Sequence, residues 1–544
     1  MKIFNLKKKT LVLLLLATIF LTYSFKSNFF EVAKQIEIYN TLFKELNMYY
    51  IDEINPAEFT NKAITNTLKD LDPYTNFKNE QDTETAKIRR AGAYGGIGIG
   101  VYYTKKGIEI SEIYKGFSAD KVGLQAGDII VSVANESLKN MERAQLSMFL
   151  KGIPGSKFSM EIERQGNIIK KDITRDKIII NPVPFAEMVD EQIGYIALTR
   201  FNEKASSNVK KAYRKLKKEG MTKLIFDLRY NPGGSLLESI RISNFFLPKG
   251  KVITSTKAKV KKWSNTYKSK NNPLDLEIPI VVLVNERSAS ASEIVSGALQ
   301  DYDRAVILGK RSFGKGLVQR YRELMYGTQL KLTISKYYTP SGRCIQELDY
   351  ENRDAKTGKV PKFSDKGIHE FKTANGRTVY DGGGILPDIE IRALDRNETT
   401  KELLKTKAIF NFATRYFYEN PSIENLADFN FENSDFNKFI DYLKVDTTFV
   451  TAQESLFKKA FLASKENNIS VAYNQIKEKL AKDKILEISK NKDIVSALIK
   501  AEILERFFYK EGVYKYSLKN DKTIHEAIVL LKNEDTYNKI LLGK

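Results

Sequence analysis

Ser288-Ala289-Ser290-Ala291-Ser292-Glu293 follows an apolar run at Val281-Val282-Leu283-Val284 and leads into an apolar helical stretch. Small residues at a strand-to-helix turn let a hydroxyl stand at the strand's C-terminal edge, where the helix N-terminus supplies N–H donors and positive potential. A nucleophilic serine needs that setting, because a tetrahedral oxyanion must meet donors already in place. N-capping by serine is the plainer account of the same residues, and spacing does not choose among the three serines. Downstream stands Phe313-Gly314-Lys315-Gly316, with Gln319 four residues after the lysine. Flanking glycines suit a closely packed backbone that aims one long side chain inward. Buried and neutral, such a lysine can take a serine proton directly, and Gln319 can orient its amine. Exposed, it is an ordinary surface charge. Upstream, Tyr230-Asn231-Pro232-Gly233-Gly234 ends another apolar run. Its paired glycines can point N–H groups into a cleft and complete an oxyanion hole with the N–H of Ala291, or simply make a tight turn.

Other chemistries are poorly supplied. Among 544 residues there is one cysteine, Cys344, and two distant histidines, His369 and His525. That excludes an intramolecular disulfide framework and a thiolate zinc cluster, and leaves a Ser-His-Asp triad or a histidine metal site without partners. No metal or cofactor is expected. Gly309 to Lys315 fits the first seven positions of a phosphate-binding loop, but Gly316 stands where the Mg²⁺-binding hydroxyl belongs. Leu317-Val318-Gln319-Arg320-Tyr321 also reads as a strand rather than the required helix, so nucleotide binding is rejected. The net charge is +21, and residues 249–270 hold eight lysines and no acid, with Trp263 and Tyr267 interleaved. Such a stretch could bind phosphates with a steep salt dependence. Without a nucleic-acid module signature it reads as a solvated surface, and no nucleic-acid partner is expected.

The elements that must position these residues follow from hydrophobic periodicity. Lys2, Lys7, Lys8 and Lys9 precede an apolar run from Leu11 to Phe25, the pattern of a signal peptide or an uncleaved anchor. The lysines favour the cytoplasmic side, so the rest of the chain is expected to be exported. Residues 28–90 carry a helical pattern that closes on an Asp72-Pro73-Tyr74-Thr75 turn, and a strand-rich stretch opens at Gly95 and Gly96. From about 181 to 395, near-continuous apolar runs at 193–198, 223–228, 278–284 and 304–308 predict strands covered on both faces. Helical patterns at 205–218, 235–246 and 291–299 separate them, which predicts an α/β core of repeated crossovers. After Asn397 the chain is Lys/Glu-rich and helical.

Seven stretches occur together in one order: Gly96-Ile97-Gly98, Gly123-Leu124-Gln125-Ala126-Gly127-Asp128, Asn231-Pro232-Gly233-Gly234, Ser288 to Glu293, Phe313 to Gln319, Tyr338-Thr339-Pro340-Ser341-Gly342-Arg343 and Gly383-Gly384-Ile385-Leu386-Pro387-Asp388. In that order, across about residues 72–391, the chain resembles the C-terminal processing peptidases, serine peptidases that carry a PDZ domain. The resemblance implies Ser290 as nucleophile, Lys315 as general base and Gln319 as its support. It implies backbone oxyanion donors at Gly233 or Gly234 and at Ala291. Asp301 matches an acidic position of the family, although a solvated helix-end carboxylate is the simpler account. The resemblance also implies a PDZ domain over 93–180, whose Gly96, Ile97, Gly98 and Ile99 form the loop that receives a terminal carboxylate. A Ser-Lys peptidase core would occupy 181–396, after a signal or anchor at 1–27 and an N-terminal helical domain at 28–92. The implied substrates are envelope proteins with free C-termini, met on the periplasmic side, with the membrane reached through the N-terminal segment. The competing function is a PDZ scaffold whose peptidase core is inactive. The helical extension, 397–544, matches nothing in the family's core pattern. It could cap the site, hold an adaptor or a second copy of the chain, or simply bury core.

Overall fold

The computed structural model of the chain describes residues 28–391, 396–421, 423–463 and 470–544. The N-terminal segment read as signal or anchor lies outside them, and among the described residues no helix is long and apolar enough to cross a membrane. The chain divides into a unit that ends at Phe77 and a larger one from Lys78. In the first, Asn55 caps the helix Pro56–Lys69 by accepting the N–H groups of Ala57 and Glu58, and Phe43 and Phe59 pack at 5.9 Å. Asp72 closes the expected turn, accepting from the N–H groups of Tyr74 and Thr75 and from the Thr75 hydroxyl. The break falls here rather than after residue 92, because the helix Glu80–Ala91 belongs to the larger unit. There the Arg90 carbonyl accepts Glu203 N–H at 3.1 Å, and the Arg90 guanidinium lies 4.6 Å from the Tyr321 ring.

The larger unit is built on a six-stranded sheet. Phe185–Met188 pairs antiparallel with Ile193–Ala197, and Lys223–Asp227, Ile280–Val284, Val306–Gly309 and Ile389–Glu390 follow in parallel. The helices Ala205–Lys218, Leu236–Asn244 and Ala291–Asp301 sit where the apolar periodicity predicts them. They cover one face, burying Val209, Leu216, Ile242, Ile294 and Leu299 against Ile196, Phe226, Val282 and Ile307. Alternate residues of the same strands, Tyr195, Ile225, Val281, Leu283 and Leu308, point to the other face, as the two-residue period of a strand requires. What covers that face is the tail: Ile524, Ala527, Leu530, Leu531 and Tyr537. The Tyr537 hydroxyl donates to the Ile280 carbonyl at 3.0 Å and accepts its N–H at 2.9 Å. The lysine-rich stretch forms the hairpin Val252–Ala258 with Asn265–Lys268, beside the paired strands Leu317–Glu323 and Gln329–Tyr338.

A second sheet, from Ile99–Thr104 to Asn167–Thr174, closes over Ile108, Ile110, Ile130, Met160 and Ile162, with the short helix Arg143–Phe149 packed against it. It hangs from the core on the antiparallel pair Ala93–Gly96 and Asp176–Ile179. The tail has its own helical core around Phe412, Phe439, Val495 and Ile503. Its long helix Lys492–Asn520 breaks at Tyr509, where φ is 56°.

Candidate active site

All three predicted site segments meet at the C-terminal edge of the main sheet, where crevices form in open α/β folds. The strand Ile280–Val284 runs through Asn285 into the serine turn, and the helix Ala291–Asp301 starts immediately after Ser290. The three serines differ sharply in surroundings. Ser288 is buried, donating to the Leu228 carbonyl at 2.8 Å while accepting Asn285 N–H. Ser292 is buried and donates to the Asn231 carbonyl at 2.9 Å. Those two hydroxyls hold the serine turn against the Tyr230–Gly234 loop. Ser290 is the partly exposed one, and its backbone has φ 56° and ψ −109°. A non-glycine residue there carries strain of about 1–3 kcal/mol, sustained by the surrounding bonds.

Those bonds converge on Glu293, which spacing alone presented only as the end of the serine motif. Its fully buried carboxylate accepts Ser290 N–H at 2.6 Å, Gly314 N–H at 2.7 Å, Lys315 N–H at 3.0 Å and the Ser312 hydroxyl at 2.6 Å. The Ser312 hydroxyl also accepts Ile385 N–H at 2.6 Å, which ties the segment after Gly384 into the same network. Burial pushes the Glu293 carboxyl above its ordinary range, opposed first by the Ser312 hydroxyl and then by the backbone N–H donors. Buried Tyr337 adds a second tie, its hydroxyl lying 3.1 Å from the Ser290 carbonyl and 2.5 Å from the Lys315 carbonyl. One carboxylate and one phenol thus clamp the backbones of Ser290 and Lys315 together. Lys315 is half-buried. Gln319 donates to the Leu317 carbonyl at 3.2 Å and to the Thr333 hydroxyl at 3.3 Å.

The same loop disposes of the phosphate-loop pattern. The N–H groups of Lys310, Ser312 and Phe313 go to the carbonyls of Val284, Ile385 and Ser288, and Gly316 N–H goes to the Gln346 side chain. With Gly314 and Lys315 held by Glu293, those donors are spent on the protein rather than turned toward a phosphate.

The two glycines of Tyr230–Gly234 part company. Gly233 N–H donates to the Asn231 side chain at 2.9 Å, so in this structure it is not an oxyanion donor. Its role is close approach. At φ +92° a Cβ would come within 2.6 Å of the Ala289 carbonyl and 2.9 Å of both Ser290 Cβ and Ala291 N. Gly234 and Ala291 remain as the candidate donors. Asp301 is not the solvated helix-end carboxylate that its position suggested. It is buried, not solvated, and pairs at 2.7 Å with fully buried Arg343 while accepting Ser341 N–H. Its work is to anchor the Tyr338–Arg343 segment.

In the second sheet domain, Gly96 ends the pair with Asp176–Ile179, and Ile97 and Ile99 are buried in that domain's core. The Ile97 carbonyl accepts Ala119 N–H and the Gly98 carbonyl accepts Tyr114 N–H, both at 2.9 Å. Peptides are planar and trans, so the N–H groups of Gly98 and Ile99 each point away from the bond that the carbonyl of the same peptide accepts. Gly98 has φ +83°, and a Cβ would meet Phe117 at 2.5 Å.

The tail packs on this domain around a cavity of about 220 Å³ lined by Glu112, Asp120, Leu124, Phe417, Glu505 and Tyr509. Lys407 pairs with Glu109, Lys510 with Glu112 at 2.5 Å, and the Tyr509 hydroxyl donates to Asp120 at 2.5 Å. Burial, then the nearby charges of Glu112 and Glu502, pushes the Glu505 carboxyl up to about 7 against the pull of Lys510 and Arg506. An unfolded glutamate titrates near 4.5. The folded form therefore carries no ionisation penalty below that pH and the whole penalty above about 7, so stability falls as pH rises between them. Glu505→Gln is expected to flatten this fall. Thermal melts between about pH 4.5 and pH 8 check it, and equal slopes in both proteins would exclude Glu505 as the cause.

Comparisons with known proteins agree with this layout. Residues 192–351 match the model for peptidase family S41, residues 85–163 that for the PDZ domain, and residues 399–531 that for the C-terminal helical domain of probable PDZ-proteases. A probable CtpA-like serine protease of Staphylococcus aureus (strain COL) is 30% identical over 407 residues, which cover 74% of this chain and 80% of that protein. The chain belongs to the C-terminal processing peptidase family. A probable CtpA-like serine protease of Staphylococcus saprophyticus is 34% identical over 322 residues, where the match takes in 58% of this chain and 63% of the relative's length. Among solved structures, the photosystem II D1 C-terminal processing protease is 28% identical, with 56% of this chain and 82% of that one covered at a TM-score of 0.35. As a family member the chain has the expected mixed α/β make-up: a PDZ domain, a peptidase core and a helical C-terminal domain, the last of which the residue patterns had left without a role.

Proposed function

We propose that this chain is a serine endopeptidase with a Ser290–Lys315 dyad, which takes hold of protein C-termini and cleaves upstream of them. The observation that carries this reading is the double clamp of Glu293 and Tyr337 on the backbones of Ser290 and Lys315, at the mouth of the helix Ala291–Asp301. Neutral Lys315 takes the Ser290 proton as Oγ attacks the scissile carbonyl, and returns it to the leaving amine. The oxyanion is met by the N–H of Ala291, at the positive end of the helix, and by that of Gly234. Gln319 supports the lysine from the neighbouring strand. The paired N–H groups of Gly98 and Ile99 receive the terminal carboxylate, and the adjoining strand Ile99–Thr104 pairs with the extended peptide. The substrates in this reading are tails of envelope proteins. The enzyme works on the periplasmic side, anchored in the membrane through residues 1–27 or exported by them as a signal peptide, the reading that the four N-terminal lysines and the apolar run support.

The test uses matched peptides that differ only in a free or an amidated C-terminus. Cleavage is expected to favour the free carboxylate by at least about tenfold in kcat/KM. Equal rates would remove the carboxylate-capture step, and binding without any turnover would favour the scaffold reading. Glu293→Gln tests the clamp. An amide brings one acceptor oxygen and an NH₂ to a site with four donors, which costs about 2–4 kcal/mol where it strands buried N–H groups. Both kcat and melting temperature are expected to drop, kcat by about a hundredfold. A variant with wild-type kcat would show that Glu293 does not hold the dyad.

A further inference from the structure

The tail reaches the residue just before the Tyr230–Gly234 loop through the carboxylate of Asp521. Asp521 lies between the helices Lys492–Asn520 and Lys522–Lys532, and its two oxygens have different partners. Oδ1 caps the second helix, accepting Thr523 N–H at 2.8 Å and Ile524 N–H at 3.1 Å. Oδ2 accepts from Arg229 Nη1 at 2.7 Å. The rest of that guanidinium faces Asp227: Nη2 donates to Oδ2 at 2.7 Å, and Nε lies 3.0–3.1 Å from both oxygens. Asp227 Oδ2 in turn accepts the Tyr195 hydroxyl at 2.7 Å.

Arg229 is the second residue beyond the strand end at Asp227, and its side chain is only 13% exposed. A planar cation forked between two carboxylates is held in one orientation. Its own N–H donates to Asp227 at 2.8 Å, and the next residue, Tyr230, is turned to φ 60° with its N–H on the Asn285 side chain. From there the chain enters Asn231–Gly234, which packs against Ser290 and Ala291.

We propose that Asp521 is a positioning residue for the peptidase reaction: acting through Arg229, it fixes the start of the loop that presents Gly234 N–H to the oxyanion. The inference rests on the Ser290–Lys315 reading given above. An oxyanion donor contributes only if it is in place before charge develops, and a small misplacement lowers the rate steeply. Without the Asp521 charge, Arg229 keeps one carboxylate and is no longer braced on the tail side. The oxyanion exists only in the transition state and intermediate, so the loss falls on kcat and leaves KM nearly unchanged.

The experiment separates the two oxygens of Asp521. In the full chain, Asp521→Asn and Asp521→Ser keep a helix-capping oxygen but remove the charge on Arg229. Both are expected to melt close to wild type, with kcat about tenfold lower, KM within about twofold, and a matching fall in the rate of Ser290 labelling by a serine-directed phosphonate. Asp521→Glu, which keeps the charge, is expected to recover part of kcat. Arg229→Lys, which keeps a charge but not the fork, is expected to lower kcat as Asp521→Asn does, with the double variant no worse than either single one. Wild-type kcat in the asparagine and serine variants would overturn the inference, as would a loss confined to Asp521→Ala that tracks its melting temperature. No Ser290-dependent turnover in the unaltered chain would sink the peptidase reading and this inference together, whereas an active wild type with active variants sinks this inference alone.

Discussion

Ser290→Ala and Lys315→Ala are each expected to lower kcat/KM on a peptide with a free C-terminus by about 10⁴-fold or more. The alanine at 290 leaves no nucleophile, and the alanine at 315 leaves nothing to accept the serine proton, so each alone stops acylation. Because the two side chains act as one unit, the double variant is expected to be no slower than either single one. Lys315→Arg is expected to be as inactive as the alanine variant, since a guanidinium stays charged and cannot serve as base. Affinity for the peptide should survive in all of them, because the Gly98 and Ile99 donors belong to another domain. Initial rates and peptide binding on the same preparations provide the check. Cleavage at the wild-type rate by any of these variants would refute the dyad.

Removing residues 522–544 is expected to unfold the peptidase core rather than trim it. Those residues bury Ile524, Leu530, Leu531 and Tyr537 against Tyr195, Ile225, Val281 and Leu283 of the main sheet. Each large apolar side chain contributes about 1.5–3 kcal/mol, so the four together amount to about 10 kcal/mol, comparable to the stability of a whole domain. The loss also uncovers the sheet face itself, an apolar surface that favours aggregation. The shortened chain is therefore expected to be insoluble or to lack a cooperative thermal transition. A soluble product that melts cooperatively at the wild-type temperature would show that the tail is dispensable to the core.

The apolar runs at 193–198, 223–228, 278–284 and 304–308 become core strands, and the residues around Ser290, Lys315 and Gly233 come together at one sheet edge. Two-residue and 3.6-residue periods and small residues at turns are local features, so the strand–helix alternation was legible from them, whereas the PDZ domain and the family were implied by the resemblance that the ordered motifs carry. Composition and spacing did not distinguish Ser288, Ser290 and Ser292, because that depends on which hydroxyls meet the Leu228 and Asn231 carbonyls of another strand's loop. Nor did they show that Gly233 spends its N–H on Asn231, that Asp301 is buried on Arg343, or that Glu293 ties the serine turn to the lysine loop. The coverage of the second sheet face by residues some three hundred positions downstream of the first strands was equally out of reach. An amphipathic helix announces that it has an apolar side but not which surface will meet it. Hydrogen-bond partners distant in sequence are chosen only when the chain closes, because burial penalises every polar group that is left without one.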